Sequence, residues 1–261
     1  MLIDVHAHFG RDAPAARLAT YAGLSNVDFV LVSNRDGAVE PPGAADLDET
    51  ETNLACLDAC RQQARLVPLY WLRPGRLDSN VYAFAGALAT EPFAAAVFSP
   101  SAAAFDADAS QLDEYLDVLA QLERPALFCI GNDARSAPAR VLTVARRHPK
   151  LPIVLCACGA GDARRREMLD VARQARRAGD ANLLVDTSHA TQAEVRQAVE
   201  ALGADRVLYG TNAIAFGDTH VPRHIALLDE LRQALAPAEY QQVTANNALR
   251  LFRLPVSPSR R

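Results

Sequence analysis

Asp4-Val5-His6-Ala7-His8 sets two histidines two residues apart at the start of the chain. On a β-strand that spacing puts both imidazoles on one side, within reach of a single metal ion. Asp4, two residues before His6, is expected to share that face, where it could orient a ring or serve as a base. Cys129 and Asn212 end later apolar runs, where such a site would need its remaining ligands. A thiolate at Cys129 would add charge and a soft ligand, giving a His2Cys set with an open fourth position. The plainer readings stand beside these. The histidine pair can be hydrogen-bonded without metal, and Cys129 can be a small buried core residue. A metal-free nucleophilic role for Cys129 would need a partner that lowers its pKa. His189, after another apolar run, offers a further ligand or general base, or is an ordinary loop histidine. Asp186 carries the same ambiguity. His220 and His224 flank Pro222 and read as surface residues.

The elements that must position these groups alternate from end to end. Apolar runs of strand length lie at 2–8, 27–33, 65–72, 94–99, 125–131, 151–158, 181–187 and 206–212. Amphipathic stretches near 13–24, 48–64, 78–90, 110–123, 136–148, 163–178, 192–203 and 222–235 separate them, and a last helix spans 237–252. Thr191 with Glu194 reads as a capping box, Pro237 as a first-turn proline, and Gly179 and Gly203 as helix C-caps. Eight β/α units predict a single (β/α)8 TIM barrel over 1–254 with a short frayed tail at 255–261. A doubly wound sheet would want a glycine-rich turn after the first strand, where His6-Ala7-His8-Phe9-Gly10 stands instead. In a barrel the chemistry collects at the C-terminal ends of the strands. The longest irregular piece, Asn34–Leu47 with Pro41-Pro42-Gly43, is placed to lie over that mouth. On the sixth strand Ala157 is expected to face inward, with Cys156 and Cys158 packing outward.

Composition narrows the function classes. The net charge of −4 gives no reason to expect nucleic acid or an anionic membrane as partner. Leu2-Ile3-Asp4 reads directly as a strand, without a basic stretch and long apolar run before it, so no signal peptide is expected, and no run approaches the roughly 18 apolar residues of a membrane span. Five cysteines without framework spacing fit a reduced, cytoplasmic protein. The only lysine, Lys150, precedes the sixth strand, at the end of the barrel away from the mouth.

The chain resembles the amidohydrolase superfamily, in the amidohydrolase-related branch that also holds decarboxylases of the aminocarboxymuconate semialdehyde and resorcylate types. The resemblance is carried by Ile3-Asp4-Val5-His6-Ala7-His8-Phe9-Gly10 and Val207-Leu208-Tyr209-Gly210-Thr211-Asn212. Leu66 to Gly75 and Asn246 to Phe252 are similar to the family's third strand and closing helix. It implies a metallo-dependent hydrolase barrel with ligands at His6 and His8. The family pattern has histidine where Cys129 and Ala157 stand, and aspartate where Asn212 stands. That aspartate is both ligand and general base, and an amide has no proton-accepting pKa near neutrality. A bridging carbamylated lysine is excluded by the position of Lys150.

The expectation is therefore a metal-dependent hydrolase acting on a C–N or ester bond of a small organic molecule, or a decarboxylase, with an altered mononuclear site. His6, His8 and Cys129 would hold a divalent metal, zinc before others, if one is bound at all. Asp4 or His189 would replace the base missing at Asn212. The alternative is a catalytically inactive pseudo-amidohydrolase that binds a small molecule or protein. The resemblance also suggests a homodimer, with no interface legible in the sequence.

Overall fold

The computed structural model describes residues 1–39, 47–157, 160–213 and 216–255. Nine strands run β1 (Ile3–Phe9), β2 (Phe29–Asn34), β3 (Leu66–Pro68), β4 (Tyr70–Leu72), β5 (Ala96–Phe98), β6 (Ala126–Ile130), β7 (Ile153–Ala157), β8 (Leu183–Asp186) and β9 (Val207–Leu208). All pair in parallel, in the orders β1-β2-β3 and β4-β5-β6-β7-β8-β9. Except between β3 and β4, helices lie between successive strands, as parallel pairing requires. This is the TIM-barrel arrangement that the β/α alternation predicts. β3 and β4 are two halves of the third predicted strand, so β6, β7, β8 and β9 are the fifth to eighth.

The ladders leave two seams. At the first, the expected strand 65–72 breaks at Leu69, and side chains from the helix Glu49–Gln62 take over the backbone pairing of its second half. Trp71 N donates to Asn53 Oδ1 (2.8 Å), and Asn53 Nδ2 donates to the Trp71 carbonyl (3.0 Å). The single hydrogen of the Cys56 thiol reaches the Val32 carbonyl at 3.4 Å, with the Leu69 carbonyl at 3.8 Å as its alternative acceptor, and Arg73 N donates to Glu49 Oε2. Buried backbone groups need such partners, and here a helix supplies them. At the second seam, backbone bonds join the end of the chain's last strand to β1: Val5 N to Tyr209 O (3.0 Å), Asn212 N to His6 O (2.7 Å) and His8 N to Ala213 O (3.1 Å).

Inside the strands, Leu31, Leu69, Val97, Leu127, Val154, Leu184 and Leu208 form one buried cluster, joined by Phe252 of the closing helix. Outside, Phe98, Phe128, Leu155 and Val185 pack against the helices. The expected capping box at Thr191 and Glu194 forms, Pro237 opens its helix, and Gly179 and Gly203 end theirs with positive φ. The helix expected near 78–90 starts later, at Val81, because Asn80 caps it through Tyr82 N and Ala83 N. The closing helix carries a π-helical turn at Gln242–Asn246, and Val243 O there accepts from Tyr209 N. Half of the Asn34–Leu47 loop (40–46) and the tail from 256 lie outside the described residues, as do Cys158 and Gly159.

Candidate metal centre

β1 and β2 fall out of register between Asp4 and Ala7: β1 advances three residues while β2 advances two, from Val30 to Val32. The extra residue is a β-bulge, which re-aims the side chains beyond it. Asp4 therefore faces the helix layer, not the interior expected from simple alternation. Its carboxylate accepts from His6 N (3.1 Å), Thr211 N (3.0 Å), Thr211 Oγ1 (2.5 Å) and Tyr21 OH (3.0 Å). Burial raises the Asp4 pKa to about 6 against the lowering pull of these donors. Asp4 ties the last strand to β1 and the helix Ala15–Leu24.

His6 and His8, past the bulge, converge. Their Nε2 atoms lie 3.1 Å apart, and Cys129 Sγ lies 3.8 Å from His8 Nε2. Ligand atoms of His6, His8 and Cys129 all fall within 4.8 Å of one another. Each imidazole is held by its other nitrogen: His6 Nδ1 by Asp186 Oδ2 (2.7 Å) and Ser188 Oγ (2.9 Å), His8 Nδ1 by Ser33 Oγ (2.8 Å). An ionised carboxylate only accepts, so His6 Nδ1 carries a hydrogen and a neutral ring turns its Nε2 lone pair toward His8 and Cys129. Burial pushes the His6 pKa down, but the Asp186 carboxylate outweighs it and lifts the ring to about 10. The surroundings thus favour positive charge at His6, whether proton or metal. Burial lowers the pKa of His8, which keeps that ring neutral and able to ligate. These donors fit a mononuclear divalent ion.

The carboxylate brace is itself anchored. Asp186 Oδ1 accepts from Ala157 N (3.1 Å) and Ser188 N (3.2 Å), and Oδ2 from Ser188 Oγ (2.6 Å). Gly210 makes room for it, since a Cβ there would meet Asp186 Oδ2 at 2.8 Å and His6 Cβ at 3.2 Å. The sequence marks Asp186 only as a strand-end carboxylate of undecided role. Ser33, Ser188 and Trp71, whose ring meets His8 edge-on at 5.8 Å, are positions that motif reading passes over.

The sixth strand also departs from the expected facing. Cys156 belongs to the interior cluster with Cys129, and Ala157 packs outward. Cys156 sits opposite Cys129 in the β6–β7 ladder. Burial, with the nearby Asp186 and Cys129, pushes its thiol well above the usual range.

At the mouth, His189 and Asn212 face each other, with Asn212 Nδ2 and His189 Nε2 3.1 Å apart. Both are half-buried and hold positive φ, 62° and 53°. Non-glycine residues rarely adopt such backbone, and where they do the strain often accompanies function. Burial lowers the His189 pKa, with the Asp186 charge opposing. Phe216 packs 4.8 Å from His189, under the Arg223 guanidinium. A cavity of about 680 Å³ lies elsewhere: it opens among Lys150, Leu151, Asn182 and Arg206, at the N-terminal ends of the strands, and holds none of these residues.

His220 and His224 are buried, at 0% and 1% exposure, not on the surface as their polar neighbours suggest. Their rings lie 4.3 Å apart, His220 Nε2 meets Thr211 Oγ1 at 3.2 Å, and His224 has no hydrogen-bond partner among the described residues. Burial pushes them down to about 4 and about 3. Their folded pKa values lie below the ordinary 6.5, so the unfolded chain binds more protons as pH falls. The contribution of these two histidines is full above pH 6.5 and should erode between pH 6.5 and 4. Asp4 and His6, with raised values, pull the other way, so the comparison is between proteins: the loss from pH 7.5 to pH 5 in urea melts is expected to be smaller in His224→Leu than in the wild type. An equal loss in that variant would clear His224 of the effect.

The family model for amidohydrolases (Amidohydro_2) matches residues 3–254. The chain belongs to this family. Solved structures share its fold: 2,6-dihydroxybenzoate decarboxylase from Rhizobium is 13% identical at a TM-score of 0.72, over 97% of this chain and 98% of that one. A 5-carboxyvanillate decarboxylase from Novosphingobium aromaticivorans, complexed with manganese and 4-hydroxy-3-methoxy-5-nitrobenzoic acid, is 13% identical at 0.73, over 97% and 96%. The IDCase of Metarhizium anisopliae, in apo form, is 14% identical at 0.71, over 97% of each chain. Among curated proteins none matches the sequence. No helix among the described residues is long and apolar enough to cross a membrane.

Proposed function

We infer that this amidohydrolase-family chain holds one divalent ion at His6, His8 and Cys129 and removes the carboxylate of a small organic acid. The convergence of two Nε2 atoms and one thiol, each ring braced through Nδ1, carries this reading. Manganese and aromatic acids in the fold's relatives support the ion and the substrate class. Zinc is preferred over manganese here because a sulfur ligand suits a borderline-soft ion.

The ion would act as a Lewis acid on a substrate oxygen. Asp186, through Ser188 and Ala157 N, keeps His6 in the ligating tautomer. Trp71 walls the site beside His8. His189, held by Asn212, is the titratable group at the mouth and the candidate to deliver or take a proton. Asp4 is committed to the second seam, and the Asn212 amide cannot accept a proton near neutral pH. Hydrolysis needs a base close to its water, and the carboxylate that would serve is Asn212 here, whereas decarboxylation asks only that a proton reach the carbon that loses CO2, so it suits this residue set better. The absence of a carboxylate base at position 212 also favours the rival reading, a barrel that binds an organic acid without turning it over.

Elemental analysis of protein purified without added metal, then loaded with zinc or manganese, tests the centre. One ion per chain, lost in His8→Ala, is expected, with CO2 released from members of an aromatic-acid panel. Substoichiometric metal under every loading condition overturns the reading. Full loading with acid-induced thermal stabilisation and no CO2 would establish the binder.

A further inference from the structure

The side chain at 156 adds something that the three-ligand reading leaves unused. Cys129 and Cys156 are partners in the β6–β7 ladder, both inside the barrel, with exposures of 3% and 0%. Same-facing residues paired across neighbouring strands stand side by side. Cys129 Sγ approaches His8 Nε2, while ligand atoms of Cys156, His6 and Asp186 lie within 4.8 Å of one another. His6 is therefore common to two three-donor groups, one with Cys129 on the side of its Nε2 and one with Cys156 and Asp186, whose carboxylate holds its Nδ1, so Cys156 joins the first only by turning its side chain toward Cys129. The Cys156 thiol spends its hydrogen on a long contact with the Val154 carbonyl, at 3.9 Å. That weak contact leaves the side chain able to turn from the Val154 carbonyl toward its ladder partner Cys129.

Charge points the same way. With Asn212 where an anionic side chain would help hold a cation, His6, His8 and Cys129 supply only one negative charge against two positive. A second thiolate neutralises the ion, and each sulfur gives its proton to solvent as it binds. Two imidazoles and two thiolates form a set common at zinc sites and unfavourable for manganese or magnesium.

We propose that Cys156 and Cys129 act as a thiol pair that jointly ligates the ion beside His6 and His8, making the centre selective for thiophilic metals. This rests on the metal-centre reading above and extends it to a second sulfur, which bears on whether the fourth position is open to substrate or closed. With both sulfurs bound, an organic acid must displace one of them or expand the coordination.

Cobalt(II) is the probe, because sulfur ligation gives it an intense near-ultraviolet charge-transfer band. In the wild-type protein the band is expected at one cobalt per chain. Cys129→Ser and Cys156→Ser should each keep about half its intensity per bound cobalt, and the double variant none. X-ray absorption on the zinc-loaded wild-type protein, which needs no variant to fold, should show two sulfurs at about 2.3 Å. A band abolished by Cys129→Ser and untouched by Cys156→Ser, or a single zinc–sulfur distance, overturns the second ligand while leaving the three-ligand centre standing. No cobalt or zinc uptake at all removes both.

Discussion

Asp4→Ala is expected to destabilise the protein by about 3–5 kcal/mol, leaving much of it unfolded in moderate urea. The carboxylate is fully buried and accepts four hydrogen bonds, from His6 N, Thr211 N, Thr211 Oγ1 and Tyr21 OH. Removing it strands four buried donors, each worth about 1–3 kcal/mol when left unpaired, with entering water recovering part. Against a total stability of about 5–15 kcal/mol the loss is large. Asp4→Asn should cost far less. Its carbonyl can serve the two backbone donors, and the Thr211 and Tyr21 hydroxyls can turn to accept from the amide; Thr211 can then donate to His220 Nε2, 3.2 Å away. The folded Asp4→Asn protein should also keep its metal and whatever activity the wild type shows, because the bulge turns residue 4 away from the centre. Denaturation midpoints of the two variants decide the matter. A loss under about 1 kcal/mol in Asp4→Ala would mean that the second seam does not depend on this side chain. Lost activity in a well-folded, metal-loaded Asp4→Asn would return Asp4 to the reacting groups.

What the sequence could tell follows from where it has contrast. The β/α alternation, the Thr191–Glu194 box and the C-cap glycines are local patterns, and they place most helices within a few residues. The interior facing of residues is written less clearly. Ile153 to Ala157 is apolar throughout and buried on both faces, so no polar alternation tells which side chains look inward. Cys156 was therefore open to being assigned to the wrong face. The break at Leu69 hides in another continuous apolar run, and its cause, Asn53 pairing with Trp71, lies on a helix some 18 residues away in sequence. The bulge in β1 has no glycine to announce it, yet it separates Asp4 from the two histidines that follow. His6, His8 and Cys129 could be brought together from strand order alone, whereas the brace at Asp186 depends on Ser188, Ala157 N and the space left by Gly210.

That brace makes Asp186→Asn the sharpest test of the centre. Asp186 Oδ2 faces one donor that matters for metal, His6 Nδ1 at 2.7 Å, while Oδ1 faces the Ala157 and Ser188 amides. An asparagine has one carbonyl for the two sides. If the carbonyl stays with the backbone amides, its NH2 faces His6 Nδ1 and drives the hydrogen onto Nε2, the atom needed for ligation. If it turns to His6, its NH2 confronts two amide hydrogens that have nowhere to go. Zinc affinity is expected to fall by about 10–100-fold, the usual cost of losing such a partner. Competition against a chelator of known affinity measures this, and near-wild-type helix content would show that the fold persists. Asp186→Glu should not rescue, because the longer side chain meets the tight space at Gly210. Zinc affinity within twofold of wild type in a folded Asp186→Asn protein would show that His6 does not ligate through Nε2, and the centre would have to be rebuilt around His8 and the two thiols.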